Sequence, residues 1–327
     1  MDRVTLTSDG GGVRPENKTA QGQLAAVNVS DRKGAIKTTV PRAIIDMSGL
    51  VGDAHAGPWH RQVSLLSQES IDRFGRTAGR TFLPGEFAEN LTTLGLDLGD
   101  VSLLDRFRIG PVELEVTQIG KRCHGDGCAV FQAVGRCVMP KEGLFCRVLA
   151  GGEVAAGDRL VLSKRRLRCL VVTVSDRASR GQYDDLSGPR VQALLRDHFA
   201  ATRWRLDVRA AVLPDDADLL RALLAAEAPA CDVIVTTGGT GIGPRDVTPD
   251  VVVDLADCLL PGVMEAIRVK FGAEHPGALL SRSVAAVWGV TLIYTLPGSV
   301  RAVEEYLGEI LRTLEHAICM LHGLDTH

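Results

Sequence analysis

The chain reads as a two-domain protein of mixed class, a mostly β N-terminal domain followed by an α/β C-terminal domain. Three observations carry this reading. At 327 residues the chain is about twice the usual single-domain length. From Gln23 to Leu162 its apolar segments are brief, β-branched and punctuated by Gly, Pro, Asp and Asn, the texture of short strands and turns. Beyond residue 168, continuous apolar strands alternate with helical periodicity, as in a parallel sheet covered by helices.

The boundaries follow from the same texture. Residues 1–22 read as a flexible arm, 23–162 as the first domain, 163–167 as a basic linker within SKRRLR, and 168–327 as the second domain. In the first domain, strands are expected at Leu24–Val29, Val63–Leu66, Val101–Leu104, Phe107–Ile109, Val112–Thr117 and Leu160–Leu162. One helix is expected over Ser67–Phe74, with Ser67 as cap and Glu69 in its first turn. The sum is a small, irregular barrel or folded sheet. In the second domain, Cys169–Val174, Leu206–Leu213, Cys231–Thr236 and Val290–Leu296 read as strands. Pro189–Phe199, Ala217–Ala228 and Val300–Leu321 read as helices, and Asp254–Val269 as a helical stretch interrupted near Pro261-Gly262. Ligands of open parallel sheets sit at the strands' carboxyl edge, so Ser175, Pro214 and Thr237 mark the candidate positions.

Composition narrows the function classes. Lys plus Arg is 37 against Asp plus Glu 40, a net charge of −3. That balance gives no global basic surface for non-specific nucleic-acid binding. The N-terminus has no apolar run and no stretch approaches ~18 uncharged apolar residues, so a cytoplasmic protein without a membrane span is expected. Eight cysteines without a secretion signal are not a disulfide framework. Cys169, Cys231, Cys258 and Cys319 are expected to be small buried hydrophobes.

The strongest chemical signal is TTGGTGIGPRDVTPD, Thr236–Asp250, directly after a buried strand. Its glycines let backbone come close to a phosphate, and Thr237 and Thr240 add hydroxyls. It lacks the Lys-Ser/Thr ending of a Walker A loop and the spacing of a dinucleotide fingerprint. Alone, such a turn is as often structural as ligand-binding. Its companions are VTVSDRAS, leaving the first strand, and LPDD, ending another. Asp215 and Asp246 together suit Mg²⁺ with water and nucleotide phosphate as the other ligands. As isolated loop acids they read equally well as caps.

VTVSDRAS at 172–179, LPDD at 213–216, TTGGTGIGPRDVTP at 236–249, PGVMEAIR at 261–268, LLSRS at 279–283 and LPGS at 296–299 resemble the molybdopterin-binding family of MogA and MoaB. The resemblance runs from Arg168 to about Leu321. It implies a three-layer α/β domain, usually trimeric, that transfers AMP from Mg-ATP to the phosphate of molybdopterin. It places the two critical aspartates at Asp215 and Asp246. Ser175, Asp176, Thr237, Gly238, Gly239, Thr240, Gly241, Ser281, Pro297, Gly298 and Ser299 would line the site, with Arg245 and Arg282 as electrostatic clamps or ordinary surface arginines.

The first domain has its own constellation. GDAHAGPWHRQVSLLSQESI (52–71), LPGEFAENLTTLGLDL (83–98), Val116–Gly152 and VAAGDRLVL (154–162) resemble the MOSC domain of molybdenum-cofactor sulfurases. That resemblance implies a β-rich barrel-like fold and one sulfur-carrying cysteine, here Cys123. Lys121, Arg122 and His124 favour its thiolate, so it is expected to alkylate ahead of Cys128, Cys137 and Cys146. A zinc or iron–sulfur site in this cluster is the rival reading, but no CxxC pair is present. His55 and His60, with Arg61 and Glu86–Glu89, suggest a ligand-facing surface.

The leading expectation is a molybdopterin adenylyltransferase whose MOSC domain binds or sulfur-modifies the cofactor. The alternative is a non-catalytic carrier or storage protein for molybdopterin or finished cofactor. Implied partners are a trimer of the chain, a sulfur donor, a molybdenum insertase and a client molybdoenzyme.

Overall fold

The computed structural model describes residues 7–8, 19–122, 131 and 137–324. They divide into two compact units, one of Pro15–Arg165 and one of Met1–Arg14 with Arg166–His327. Strand β1 (Thr7–Ser8) belongs to the second of these.

In the first unit the elements are β2 (Thr19–Val29), β3 (Thr38–Val40), β4 (Arg42–Asp46), β5 (Gly49–Leu50), β6 (Val63–Ser67), α1 (Gln68–Ala78) and β7 (Leu91–Leu94). They continue with β8 (Arg106–Ile109), β9 (Val112–Ile119), α2 (Met139–Glu142), β10 (Leu144–Ala150), β11 (Gly152–Ala155) and β12 (Arg159–Ser163). The strands close in the order β2-β12-β8-β9-β10-β6-β7 and back to β2, antiparallel except at β6–β7. β3 adds to β2 outside this ring, and β4 pairs with β5 and β11 in a small separate sheet. Strand alternation fills the interior: Phe107 and Ile109 of β8 are buried while Arg106 and Arg108 are exposed. Phe107 lies opposite Leu114 and Leu162, an apolar cross-strand contact that fixes the register.

α1 begins as its sequence prescribes, with the Ser67 hydroxyl accepting from the Ser70 N–H, and covers one outer face. Phe74, Phe82 and Phe87 stack edge-on or tilted beneath it, with ring centroids 4.9–5.5 Å apart. Two expectations change here. Val101–Leu104 is a turn, because Leu104 takes φ +64° and the Ser102 N–H bonds the Asp105 carboxylate; its apolar side chains are buried without strand pairing. The first long strand starts at Thr19 instead of after residue 22.

The second unit comprises β13 (Leu167–Val174), α3 (Asp176–Ser179), α4 (Ser187–Ala200), β14 (Leu206–Leu213), α5 (Ala217–Glu227), β15 (Val233–Thr237) and α6 (Thr248–Leu255). Then follow β16 (Cys258–Leu259), α7 (Pro261–Gly272), β17 (Ala285–Trp288), β18 (Thr291–Leu296) and α8 (Val300–Leu321). The sheet order is β1-β14-β13-β15-β18-β17-β16, with β14, β13, β15 and β18 parallel. Leu220, Leu223 and Leu224 of α5 and Val251 and Val252 of α6 pack with one sheet face. α4 and α8 pack together on the other, so the unit has three layers.

The stretch expected as one broken helix from Asp254 to Val269 is α6, an edge strand and α7. Pro261 opens α7 at its first turn, where a missing N–H costs nothing. Cys258 lies on that edge strand and is exposed, unlike Cys169, Cys231 and Cys319, which are buried. Among the described residues no helix is long and apolar enough to cross a membrane.

Candidate functional site

The parallel strands deliver four of the motif segments to one edge. β13 ends at Ser175-Asp176, β14 at Pro214-Asp215, β15 at Gly238-Gly239 and β18 at Pro297-Gly298-Ser299. Chain order runs from β13 outward to β14, then back across β13 to β15. The edge between β13 and β15 is therefore a topological switch point, where crevices form in open sheets. Gly238 sits in it with φ +94°, and a Cβ there would lie 2.2 Å from the Val174 carbonyl oxygen of β13. Only glycine fits. The Gly238 N–H donates to the Leu296 carbonyl at 3.0 Å, tying the turn to the end of β18.

Two acids at successive strand ends are clasped to each other. The Asp176 N–H donates to Asp215 Oδ2 at 3.1 Å, and the Asp215 N–H returns to Asp176 Oδ1 at 3.2 Å. Arg245 pairs with Asp176 and lies 3.3 Å from Asp215 Oδ2. Asp246 closes its own turn, its Oδ2 accepting from the Gly243 N–H at 2.8 Å. Burial, and then the negative charge of Asp246, raises the Asp215 carboxyl above its usual range.

The remaining residues divide by role. Ser175 and Ser299 cap helices α3 and α8, their hydroxyls accepting from Ala178 and Ala302. The cap at Ser299 brings the positive end of a 22-residue helix to Gly298, whose added Cβ would lie 3.4 Å from Gly238 Cα. Thr237 is buried, its hydroxyl 2.8 Å from Ser187 Oγ. Thr240 is buried, and its carbonyl accepts from the Arg282 N–H. The Arg282 guanidinium is spent on the loop itself. Nε donates to the Gly241 carbonyl at 2.7 Å, Nη1 to both Asp250 oxygens and Nη2 to the Asp246 carbonyl. It braces the glycine turn with four of its five N–H donors. Ser281 pairs with Ser283 at 2.9 Å, beside that brace.

Asp185 was not foreseen. Its carboxylate accepts from Thr173 Oγ1 at 2.6 Å, Ser187 Oγ at 3.1 Å and the Gly188 N–H at 2.9 Å. Through Ser187 and Thr237 it connects the start of α4 to the end of β15. An Asp just ahead of Ser-Gly-Pro at a helix start was the available signal.

Among the described residues no group of three or more His, Cys, Asp or Glu is placed to hold a metal. Asp215 and Asp246 supply two oxygen donors, and that donor set fits Mg²⁺, which keeps several waters and phosphate oxygens as ligands.

The barrel unit holds a second polar constellation. Lys37 and Asp53 form a fully buried ion pair, and His55 Nδ1 lies 3.5 Å from Lys37 Nζ and 3.4 Å from Asp53 Oδ1. Burial pushes Lys37 below the usual lysine range. Burial also pushes Asp53 upward, but hydrogen bonds from His55 and Lys37 outweigh it and hold the carboxyl well below its ordinary value. Glu89 is buried too, its Oε1 accepting from the Gly85 N–H and the Thr92 hydroxyl. Arg61 lies over the Trp59 ring at 4.6 Å. Glu86 pairs with Arg80, and its Oε1 accepts from the Leu83 N–H at 2.9 Å. Cys146 is buried and Cys137 half-buried. Cys123, with Cys128 and His124, lies outside the described residues.

Residues 170–316 match the family described as "Probable molybdopterin binding domain", and residues 52–161 match the MOSC domain. Over 155 residues the chain is 33% identical to a molybdopterin adenylyltransferase of Helicobacter pylori, covering 47% of this chain and 86% of that one. Over 160 residues it is 36% identical to a molybdopterin adenylyltransferase of Escherichia coli, covering 48% and 80%. It is also 38% identical over 156 residues to a molybdenum cofactor biosynthesis bifunctional protein of Synechococcus elongatus, of which it spans 47%.

Proposed function

The chain belongs to the molybdopterin-binding family through its C-terminal unit and carries a MOSC domain in its N-terminal unit, and from that premise we propose that it adenylylates molybdopterin with Mg-ATP. The observation that carries the reading is that Arg245 of the glycine-turn segment reaches Asp215, while the adjacent Asp246 closes that turn, at the switch point of a parallel sheet.

In this reading an oxygen of the molybdopterin phosphate attacks the α-phosphorus of ATP. A new P–O bond forms, the bond to the β-phosphate oxygen breaks, and pyrophosphate leaves with its electron pair. The attacking oxygen is anionic at neutral pH, so no strong general base is required. The demand falls on alignment and charge neutralisation. Asp215 and Asp246 would hold the Mg²⁺, which when bound neutralises phosphate charge. The Thr237–Gly241 turn presents backbone to a phosphate chain, and the N-terminal end of α8 adds a favourable dipole. Arg282 keeps that turn in shape through its carbonyls. Asp185 orients Thr237 through Ser187.

The MOSC half is proposed to bind or sulfur-modify the cofactor. The buried Lys37–Asp53 pair beside half-exposed His55, with Arg61 over Trp59, supports an anionic ligand there.

The test is to incubate the purified chain with Mg-ATP and molybdopterin and to measure AMP-molybdopterin and pyrophosphate. Stoichiometric product is expected, reduced at least about a hundredfold by Asp246→Ala. Molybdopterin binding with no pyrophosphate release would instead make the chain a carrier.

A further inference from the structure

We infer that Arg245 is a displaceable counter-ion: its guanidinium neutralises Asp176 and Asp215, competes with a divalent ion for them, and turns to the nucleotide phosphates once such an ion is bound. This rests on the reading of Asp215 and Asp246 as metal-holding residues.

The two arginines of the site contrast. Arg282 directs its guanidinium donors to two loop carbonyls and to Asp250. It is a fixed part of the loop. Arg245 is 62% exposed, and the polar contacts of its guanidinium are the carboxylates of Asp176 and Asp215. No loop carbonyl anchors its side chain among the bonds described. It can therefore leave without unmaking the turn.

The acids, by contrast, are fixed without it. Reciprocal backbone N–H bonds clasp Asp176 to Asp215, and the Gly243 N–H holds Asp246. The result is an acidic edge held in place by its own backbone. Arg180 also lies 3.9 Å from Asp176, and the guanidinium that reaches Asp215 is that of Arg245. A guanidinium keeps its charge at any accessible pH and offers only donors. Its fixed positive charge beside the Asp215 carboxylate opposes a second cation there, so the two compete electrostatically. Phosphates arriving with the metal offer the released guanidinium a matching bidentate partner. Metal and nucleotide should accordingly bind better together than either does alone.

The experiment is titration of the full chain with Mn²⁺, reading free ion by electron paramagnetic resonance, for wild type, Arg245→Ala and Arg245→Lys. In parallel, binding of a non-hydrolysable ATP analogue is measured at saturating Mn²⁺. Removing a charge this close should tighten Mn²⁺ about tenfold in Arg245→Ala, with Arg245→Lys near wild type. The same Arg245→Ala change should weaken the analogue, and a variant that merely damaged the loop would weaken both ligands. Equal or weaker Mn²⁺ binding by Arg245→Ala overturns the inference and leaves the metal reading standing. Absence of Mn²⁺ binding in all three proteins, with the analogue present, overturns the metal reading and the inference with it.

Discussion

Glu89 shows how a single buried carboxyl shapes the pH response of the barrel unit. Burial raises its pKa, and the hydrogen bonds from Gly85 and Thr92 do not cancel that effect. The folded unit therefore holds the Glu89 proton more tightly than the unfolded chain. This contribution is fully present below the ordinary glutamate value of about 4.3 and is lost as pH rises through the raised value. Asp53 has the opposite sign, because its pKa is depressed. Its stabilisation is present above the ordinary aspartate value and is lost in acid. Glu89→Gln should remove the decline in urea midpoint expected of the wild type as pH rises above the ordinary glutamate range. A wild-type midpoint that rises with pH there, or a variant that keeps the decline, would contradict this. Residues of this kind differ in how far sequence reveals them. Asp215 and Asp246 were legible because strand ends and a glycine turn gave them a context. Lys37 was not: in DRKGAIK it reads as a surface lysine, and only tertiary closure puts it against Asp53.

At the scale of elements, legibility followed the strength of the periodic signal. α8 was read to its end residues, since Val303, Tyr306, Leu307, Ile310, Leu314 and Ile318 recur at helical spacing on a buried stripe. The strands β3, β4 and β5 were missed because they are short: β3 is a largely exposed edge strand, β5 has two residues, and β4 alternates over only five. Val101–Leu104 was misread because burial without pairing gives the same apolar run as a strand. The start of α4 depends on a close approach that sequence shows only as Ser-Gly-Pro. A Cβ on Gly188 would lie 2.4 Å from Asp185 Oδ2 and 2.6 Å from Thr173 Oγ1. Gly188→Ala should therefore displace Asp185, lower stability by about 1–3 kcal/mol and slow adenylyl transfer through Thr237. An unchanged urea midpoint with unchanged turnover would show that the Asp185 network does not position the glycine turn.

For the whole molecule, the fold explains why residues scattered from Ser175 to Ser299 meet. Four parallel strands end at one edge, and the reversal of strand order between β13 and β15 opens the crevice there. The two-class architecture was legible because the two halves differ in texture along the sequence. The pairing of β1 with β14 was not, since two residues of an N-terminal segment carry no pattern that assigns them to the second unit. The central claim is that the chain transfers the α-phosphoryl group of ATP, with its adenosine, onto the molybdopterin phosphate. The most direct measurement is the fate of phosphorus label from two ATP samples, one labelled at the α- and one at the γ-position, in the presence of Mg²⁺ and molybdopterin. Label from the α-position should appear on the molybdopterin product, and label from the γ-position in pyrophosphate. Label from the γ-position on molybdopterin, or no label transfer from either sample while molybdopterin remains bound, would contradict the account.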